Sequence, residues 1–363
     1  MADVGIVGAG IVGLATAHAL ARRGASVVVY EHGEPGGGQS AGEARIFRHA
    51  HGDARLVAFA RDSRALWDEW GERFGTQLVS EDGAVAIGSS VDDRLHVLRE
   101  AGGVPARRIG SEELAERLPI LAGYDGPAML DERGGSIRTR AAIEALTAEL
   151  GDALVREEVL LVRPTGEGTV EVRTGLRRAE HDHVVVSAGR DSARLARGLG
   201  LSLPVRLAAH VRLTFTLRGD PPARLACLQD GSGDFGEVGV YATAATGNRH
   251  YAVGLSQTTP MHDDGSPVEP VGLDSLSDRA QAYVTRALPG LHPEPAEVVH
   301  CWVTDLPWSE DGVAIWEASG VHVIAGHNLF KQAPGLGRAL AAAALGEGVP
   351  VELRPEARLG AAR

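Results

Sequence analysis

The first thirty residues switch between the hydrophobic spacing of strands and that of a helix. Asp3-Val4-Gly5-Ile6-Val7 and Ser26-Val27-Val28-Val29-Tyr30 are short apolar runs, which predicts two buried strands. Between them, residues 14–21 are almost all apolar and the run stops at Gly24, which predicts a helix. The pattern therefore indicates a strand, helix, strand unit at the start of the chain.

The same patterns place elements along the rest of the chain. Helical spacing predicts helices over Leu56–Phe74, Ser111–Leu118, Arg138–Leu150, Leu276–Leu288 and Leu336–Leu345. Apolar or alternating runs predict strands over Ala84–Ile87, Val155–Arg163, Thr169–Thr174, His183–Val186, Val211–Thr216, His250–Val253 and Val321–Gly326.

The order of these elements indicates two domains. Residues 205–303 show mostly strand-type alternation, whereas Val321–Gly326 returns to a buried strand of the parallel type. No internal repeat or low-complexity linker divides them. The simplest interpretation is an α/β nucleotide-binding domain made of three discontinuous pieces, with an α+β, strand-rich insert as a second domain.

A glycine motif lies at the first strand-to-helix turn. Gly8-Ala9-Gly10-Ile11-Val12-Gly13 follows the strand directly, and Glu31 ends the second strand, 18 residues beyond Gly13. This is the dinucleotide-binding pattern: the glycines allow a tight turn and close backbone approach, the helix N-terminus attracts phosphate, and the acid accepts from ribose. The motif does not choose between NAD and FAD. The alternative is a glycine-rich turn in a plain α/β sheet.

Composition and charge restrict the partners. The chain has 363 residues, 44% hydrophobic and 23% charged, as is ordinary for a globular protein. A net charge of −12 argues against nucleic acid or an anionic membrane as the main partner. Two cysteines indicate no disulfide framework, and no cation precedes the apolar opening as it would in a secretory signal. We therefore expect a soluble cytoplasmic protein; the oligomeric state stays open, a monomer being compatible.

Lys331 is the only lysine in the chain. The sequence contains 36 lysines and arginines, so every other cationic side chain of this kind is arginine. A position that keeps lysine against this background suggests a site that needs a compact ammonium group. Drift in composition is the alternative explanation.

The segment Gly38-Gln39-Ser40-Ala41-Gly42-Glu43-Ala44-Arg45-Ile46-Phe47-Arg48-His49-Ala50, the glycine motif and the C-terminal third resemble the monomeric sarcosine oxidase group of the glycine/D-amino-acid oxidase superfamily. The resemblance implies an FAD cofactor, Arg45 beneath the flavin, and Arg48 and Lys331 as the two cations around the substrate carboxylate. A bidentate arginine suits that role. The alternative for both arginines is surface pairing with Glu43 or Asp53, or a shared helical face at a spacing of three.

His300-Cys301-Trp302-Val303-Thr304-Asp305-Leu306-Pro307 resembles the family stretch whose cysteine is bonded to the flavin 8α-methyl group. The resemblance implies covalent attachment through Cys301, with nearby cations lowering the thiol pKa. The alternative is a small buried hydrophobe. Cys227 lacks such a context and is predicted to lie in the core.

The chain also departs from the family pattern. The family's oxygen-activating lysine aligns with Ala252, so that Arg249 or His250 is left to supply positive charge there. Val303 replaces an aromatic residue, and Ser40 and Ala41 replace two histidines. The preferred substrate is therefore not expected to be sarcosine itself.

The resemblance implies a full set of roles and boundaries. The expected FAD-binding domain is 1–82, 141–204 and 308–363, and the expected substrate domain is 83–140 and 205–307. The substrate is expected to be a secondary, N-methyl or cyclic amino acid, oxidised by hydride transfer to flavin N5 with O2 reduced to H2O2. Alternatives are a dehydrogenase using another acceptor and a non-catalytic dinucleotide-binding module. Residues expected at the reaction site are Arg45, Arg48, His250 and Lys331, and those at the cofactor are Gly8, Gly10, Ile11, Val12, Gly13, Glu31, Ser40, Arg45, Val159, Ala188, Gly189, Cys301, Gly326, Asn328, Leu329, Phe330 and Lys331.

Overall fold

The computed structural model of the protein describes residues 3–269 and 272–361. The helices in this part of the chain are α1 (Ile11–Arg22), α2 (Ala54–Phe74), α3 (Val91–Ala101), α4 (Ser111–Arg117), α5 (Thr139–Leu150), α6 (Ser192–Arg197), α7 (Gly272–Ala287) and α8 (Ala333–Ala342). None of the helices described is long and apolar enough to cross a membrane.

The strands of the same ranges are β1 (Asp3–Val7), β2 (Ser26–Tyr30), β3 (Ala44–Phe47), β4 (Ala84–Ile87), β5 (Ala106–Ile109), β6 (Ala128–Asp131), β7 (Gly135–Arg138), β8 (Leu154–Val155), β9 (Val159–Pro164), β10 (Val170–Thr174), β11 (Arg178–His181), β12 (His183–Val186), β13 (Arg206–Leu217), β14 (Cys227–Asp230), β15 (Val240–Ala244), β16 (His250–Leu255), β17 (Thr259–Pro260), β18 (Leu291–Asp305), β19 (Val313–Ala318) and β20 (Val321–Gly326).

These elements form two compact units. The first contains the described residues of Met1–Ala41, Arg140–Arg206 and Thr304–Arg363, and the second contains Gly42–Thr139 and Leu207–Val303. The expected domains differ from these units mainly in residues 42–82, which were assigned to the FAD-binding domain but lie in the second unit. The reason is strand pairing, because β3 is antiparallel to β7, with Ala44 opposite Arg138.

The first unit is built around a six-stranded sheet in the order β19-β20-β12-β1-β2-β8. The strands from β20 to β8 are parallel, and only β19 is antiparallel. Four of the five residues of β1 are buried, as are all six of β20. Such continuous apolar runs are typical of parallel strands covered on both faces. A small antiparallel sheet, β11-β10-β9, completes this unit.

The second unit is built around a nine-stranded sheet in the order β17-β13-β16-β15-β14-β4-β6-β5, with β18 also pairing with β13. Alternation along β13 separates its two faces. Val211, Leu213 and Phe215 are fully buried in the hydrophobic core, where they pack with residues of α7. The even-numbered residues of β13, beginning with His210 and Arg212, therefore point to the opposite face.

Several predicted elements have the expected positions. Ala84–Ile87, His183–Val186 and Val321–Gly326 are strands with the predicted bounds, and the last is parallel to β12. The single strand predicted over Val155–Arg163 is wrong, because β8 ends at Val155 and a separate strand begins at Val159. The two pieces pair in different sheets, which hydrophobic spacing does not reveal.

Candidate functional site

The glycine motif joins β1 to α1 in the first unit. A β-carbon on Gly13 would overlap the carbonyl oxygen of Gly8, so α1 can approach the loop this closely only with glycine there. Ser40 Oγ accepts a hydrogen bond from Ile11 N–H at 3.0 Å. The first turn of α1 contains no acidic residue. The helix therefore presents amide groups and a positive dipole end, which fit the pyrophosphate of a dinucleotide.

Glu31 lies beside this loop. Its Oε2 accepts from Ala9 N–H at 2.9 Å, and its Oε1 accepts from Gly33 N–H at 2.9 Å. The carboxylate is thus fixed between the glycine motif and the end of β2. A fixed acceptor at this distance along the chain fits the ribose hydroxyls of a dinucleotide. These features together fit a bound dinucleotide such as FAD.

Two further parallel strands end near the loop. Ser187, after β12, donates its hydroxyl to Val7 O at 3.2 Å and to Gly8 O at 3.3 Å. The next residues, Ala188 and Gly189, follow directly along this turn. At the end of β20, Gly326 O accepts from Thr304 Oγ1 at 2.7 Å. Ligands of open α/β sheets bind at the carboxyl ends of the strands, and these residues form that edge.

Val159 is placed differently from the other expected cofactor residues. It begins β9 and is buried at 5% exposure in a hydrophobic cluster of the first unit. Its side chain therefore packs in the core, and only its backbone remains for a ligand.

The segment after β20 is tied to Asp311. Asn328 adopts the left-handed conformation, with φ of 57°, and its Nδ2 donates to Asp311 Oδ1 at 2.8 Å. Lys331 Nζ lies 3.5 Å from the same oxygen. Leu329 begins a short 3-10 turn that continues through Phe330, which is buried.

Lys331 is itself 3% exposed. Long flexible cations are almost never buried so deeply unless they are paired. The single lysine therefore occupies a buried position in which the Asp311 carboxylate is a partner.

Arg45 and Arg48 lie in the second unit, on β3 and just after it. Both side chains are half-buried. Arg45 Nη1 donates to Ala44 O at 3.1 Å, and Arg48 Nη1 donates to Ala50 O and lies 3.2 Å from His51 Nδ1. Because β3 is a strand, the alternative in which the two arginines share a helical face is wrong.

A buried pair holds the chain beside Arg48. Asp131 accepts from His49 N–H at 2.8 Å and lies 2.9 Å from His49 Nδ1, and both side chains are 2% exposed. Asp131 Oδ1 also accepts from Gly134 N–H at 3.0 Å. The pair fixes the backbone directly after Arg48 to Asp131 at the end of β6, so that the arginine begins from a rigid position.

The polar face of the large sheet holds residues that the sequence analysis did not identify. Arg212 on β13 and Tyr241 on β15 are both opposite Gly254 on β16, so they are neighbours across one row of the sheet. Tyr241 OH lies 2.6 Å from His210 Nδ1. Arg212 is 6% exposed. An arginine in an alternating strand carries no sequence signal of burial, because it is equally common on a solvated face.

Burial controls the protonation of the tyrosine and histidine. It lowers the pKa of His210 to about 4, against a smaller opposing effect of a hydrogen bond with the Leu255 backbone. It raises the pKa of Tyr241 well above its ordinary value, as does Cys301, whereas Arg212 lowers it. Near neutral pH the imidazole is uncharged and the phenol is protonated.

Cys301 lies on β18, half-buried, on the strand that pairs with β13. Burial raises its pKa; Arg212 lowers it and Glu297 raises it further, with a net increase. A neighbouring cation, Arg212, thus lowers the pKa of this thiol as expected, but desolvation is the larger effect and the net pKa is raised. Cys227 is 1% exposed, in the core as predicted.

His250 lies at the beginning of β16. Its Nδ1 is 3.4 Å from Thr216 Oγ1, and Ala252 is opposite Thr214 on the same face. At the rise of an extended strand, His250 is roughly 13 Å from Gly254 along β16, and Ala252 is roughly 7 Å away. The histidine is therefore one end of a row of polar positions, not part of the Arg212 and Tyr241 cluster.

Comparison with known proteins adds to this geometry. The profile of the family described as FAD dependent oxidoreductase matches residues 3–343. Peroxisomal sarcosine oxidase of Mus musculus is 28% identical over 217 residues, which cover 56% of this chain and 54% of that protein. The match thus spans about half the length of that relative. Glycine oxidase of Geobacillus kaustophilus (strain HTA426) is 29% identical over 350 residues, which cover 90% of this chain and 87% of that protein.

Among solved structures, the open form of NikD, an amino acid oxidase essential for nikkomycin biosynthesis, has a TM-score of 0.83 at 22% identity. The match covers 96% of this chain and 95% of that one. This likeness, together with the family match, confirms the predicted fold class: a Rossmann-like FAD domain with a strand-rich substrate domain.

Proposed function

Because the chain belongs to the FAD dependent oxidoreductase family, as its motifs predicted, we propose that it oxidises the C–N bond of an amino or imino acid. We further propose that the substrate is a secondary amine, N-methyl or cyclic, and that O2 is reduced to H2O2. The observation that carries the proposal is the glycine loop with its fixed acid: Gly13 admits α1, Ser40 caps it, and Glu31 is held for a ribose.

The substrate carboxylate is assigned to Arg48 and Lys331. Arg48 offers a fork of donors that matches a carboxylate, and His49 fixes the backbone beside it. Lys331 offers a compact charge in a buried setting, where electrostatic interactions are stronger than in water. A substrate anion would replace part of the interaction that Lys331 makes with Asp311.

The remaining chemistry needs few side chains. The flavin, when bound, accepts the hydride and so supplies the oxidation. The neutral amine's lone pair can drive loss of hydride, so no side chain is required as a strong base. Tyr241 and His210 are both uncharged near neutral pH, and therefore fit a lining that keeps the site dry without removing protons.

We propose Cys301 as the point of covalent attachment. It is half-buried on β18, close enough to Arg212 for the cation to stabilise a thiolate. Acid precipitation tests the assignment. If attachment occurs, the precipitate stays yellow and the intact mass includes FAD, whereas Cys301→Ser releases the flavin and Cys227→Ser does not. Colourless precipitate from the unaltered protein would rule the bond out.

A dehydrogenase that passes electrons to another acceptor is the second candidate. It is favoured by Ala252, which leaves an uncharged position where the resembling family has its oxygen-activating lysine. His250 begins the same strand and Arg249 directly precedes it, and these are the basic residues nearest in sequence. The yield of peroxide per substrate oxidised separates the two functions, being close to one for an oxidase and small for a dehydrogenase.

The experiment that tests the proposed function is anaerobic bleaching of the visible flavin absorbance. The holoprotein is mixed with N-methyl, cyclic and ordinary primary amino acids, and then air is admitted and recolouring is timed. Bleaching by a secondary amino acid with rapid recolouring supports an oxidase, and bleaching with slow recolouring supports the dehydrogenase. No bleaching by any amine that carries a carboxylate would overturn the proposal.

A further inference from the structure

Arg212 is a buried cation to which the proposed function assigns no contact with the substrate. It is 6% exposed and projects from β13 to the face of the sheet opposite the hydrophobic core. Among residues 3–269 and 272–361, its side chain makes neither an ion pair within 4.0 Å nor a hydrogen bond. Buried charges are almost always paired, because removing an unpaired charge from water is costly.

A second guanidinium lies close to it. Gly42 has a φ of +116°, and a β-carbon placed on it would lie 2.8 Å from Arg45 Nη1 and still closer to Arg212 Nη2. The two nitrogens are therefore separated by about 5 Å at most. Like charges at this distance repel each other, and a side chain on Gly42 would fill the space that both guanidinium groups face. Such an arrangement indicates that an anion belongs between or beside them.

The groups around Arg212 do not supply that anion. Cys301 and Tyr241 are its titratable neighbours, and burial raises the pKa of each, so both are neutral near neutral pH. Glu297 lies near Cys301 but is exposed, and its carboxylate accepts from Thr214 Oγ1 at 3.4 Å. No carboxylate of the described chain therefore neutralises this guanidinium directly.

We propose that Arg212, with Arg45 beside it, binds a second anionic group of the substrate, which makes the substrate an amino or imino dicarboxylate. This inference rests on the proposed function, because it assigns the first carboxylate to Arg48 and Lys331. Arg212 is then the specificity residue: a monocarboxylate amine would leave it buried and unpaired, whereas a dicarboxylate satisfies both ends. The short distance between Arg45 and Arg212 suits one carboxylate that bridges two guanidinium groups.

Kinetics on paired substrates tests this assignment. The holoprotein is reduced anaerobically with amines that match in their reacting end and differ only in the second carboxylate, such as N-methylglycine and iminodiacetate. We expect the dicarboxylate to have the lower apparent Kd. We expect Arg212→Met to weaken that Kd by about 10- to 100-fold and to leave the monocarboxylate nearly unchanged. Arg212→Lys should recover part of the loss, and the exposed Arg218→Met serves as the matched control.

A binding measurement separates this inference from the proposed function. Unreactive dicarboxylates, malonate to glutarate, are titrated against the holoprotein by calorimetry and by the change in flavin absorbance, with acetate as the monocarboxylate control. Saturable binding of a dicarboxylate that Arg212→Met abolishes supports the second anion site even if no amine bleaches the flavin. If monocarboxylate and dicarboxylate amines react equally well, the proposed function stands and this inference fails.

The stability of the unliganded protein gives an independent readout. A buried, unpaired cation destabilises the fold, so Arg212→Met should keep or raise the melting temperature without dicarboxylate. The unaltered protein alone should then be stabilised by added dicarboxylate. A lower melting temperature together with lost flavin and unchanged anion binding would show that Arg212 supports the cofactor, and would overturn the assignment.

Discussion

Lys331 and Arg212 are two buried cations that differ in whether a carboxylate of the described chain neutralises their charge. Lys331 has Asp311 at 3.5 Å, so its charge is compensated within the first unit. Arg212 has no such partner in the described part of the second unit, although it is 6% exposed. An unpaired buried charge destabilises the fold more than a paired one does. Arg212 is therefore the stronger indication of a bound ligand.

At this scale, Arg48→Ala tests the first carboxylate site. Loss of a forked donor pair should raise KM and lower kcat/KM by about 100-fold, because charge-assisted hydrogen bonds are lost. Flavin content should change little, since Arg48 contacts Ala50 and His51 of its own loop. Steady-state kinetics check this, with Arg61→Ala on α2 as a partly exposed control, and an unchanged KM would remove Arg48 from the substrate site.

Gly13→Ala tests the cofactor site. The added methyl group would overlap the Gly8 carbonyl, so that α1 must move away from the loop. We expect a loss of about 1–3 kcal/mol in the free energy of unfolding and a lower ratio of flavin to protein absorbance. Gly38→Ala is the matched control, because its β-carbon would meet no atom within 4 Å. Full flavin retention by Gly13→Ala would contradict the assigned geometry.

Some elements of this fold have clear boundary residues in the sequence, and others do not. The long helix α2 is a clear case. It begins after Asp53, whose side chain accepts from Arg55 N–H at 2.9 Å, and ends at Gly75 in the left-handed conformation, with φ of 63°. Both are standard helix boundaries, and the apolar spacing between them was sufficient to predict the helix almost to its ends.

The cap of α2 gives a prediction at the scale of an element. Asp53→Ala should lower the free energy of unfolding by about 0.5–2 kcal/mol, because an N-cap hydrogen bond and the ion pair with Arg55 at 2.7 Å are both lost. Urea denaturation followed by circular dichroism measures the change. Asp62→Ala, on the exposed side of the same helix, should cost less than half as much.

The sequence was sufficient to predict the elements around the glycine motif, but it did not identify the residues on the polar face of the large sheet. The glycine motif and Glu31 lie within the first 31 residues, and the geometry of each position requires a particular residue type. The row of Arg212, Gly254 and Tyr241 depends on the pairing of β13, β16 and β15. Which face of a sheet is covered is decided by distant segments, so no local pattern distinguishes a ligand-binding arginine from a solvated one.

The same limit applies to strand β3 and its surroundings. Residues 42–82 were expected in the FAD-binding domain but lie in the second unit, where the pairing of Ala44 with Arg138 joins segments about ninety residues apart. The pairing of Lys331 with Asp311 crosses the hairpin of β19 and β20 in a similar way. In both cases the sequence indicated one member of the pair but not the distant residue that lies beside it.

For the molecule as a whole, two half-buried groups make opposing contributions to stability between about pH 4 and 6. Burial lowers the pKa of His210 to about 4, so the unfolded chain binds more protons below pH 6.5 and stability rises with pH. Burial, with Glu310 and Asp311, raises the pKa of Asp305 to about 6 against the effect of Arg206, so stability falls with pH from about 3.8 to 6.

Single variants should reveal each trend. Asp305→Asn should leave a free energy of unfolding that rises between pH 4 and 6, and His210→Asn should leave one that falls, each by at most about 3 kcal/mol. Urea denaturation at half-unit pH intervals measures the slopes. Two variants with slopes of the same sign would show that burial does not control one of these groups.

The first unit contains three separate segments of the chain, and this has a consequence during protein synthesis. Its central strand, β1, pairs on one side with β12, and β12 in turn pairs with β20, which begins more than three hundred residues after β1. A ribosome therefore releases the glycine loop long before the sheet that supports it can close, and such distant pairing is slow to form. We expect nascent chains halted before Val321 to remain sensitive to protease throughout this unit. The cofactor should therefore bind only late in synthesis, after β20 has joined the sheet.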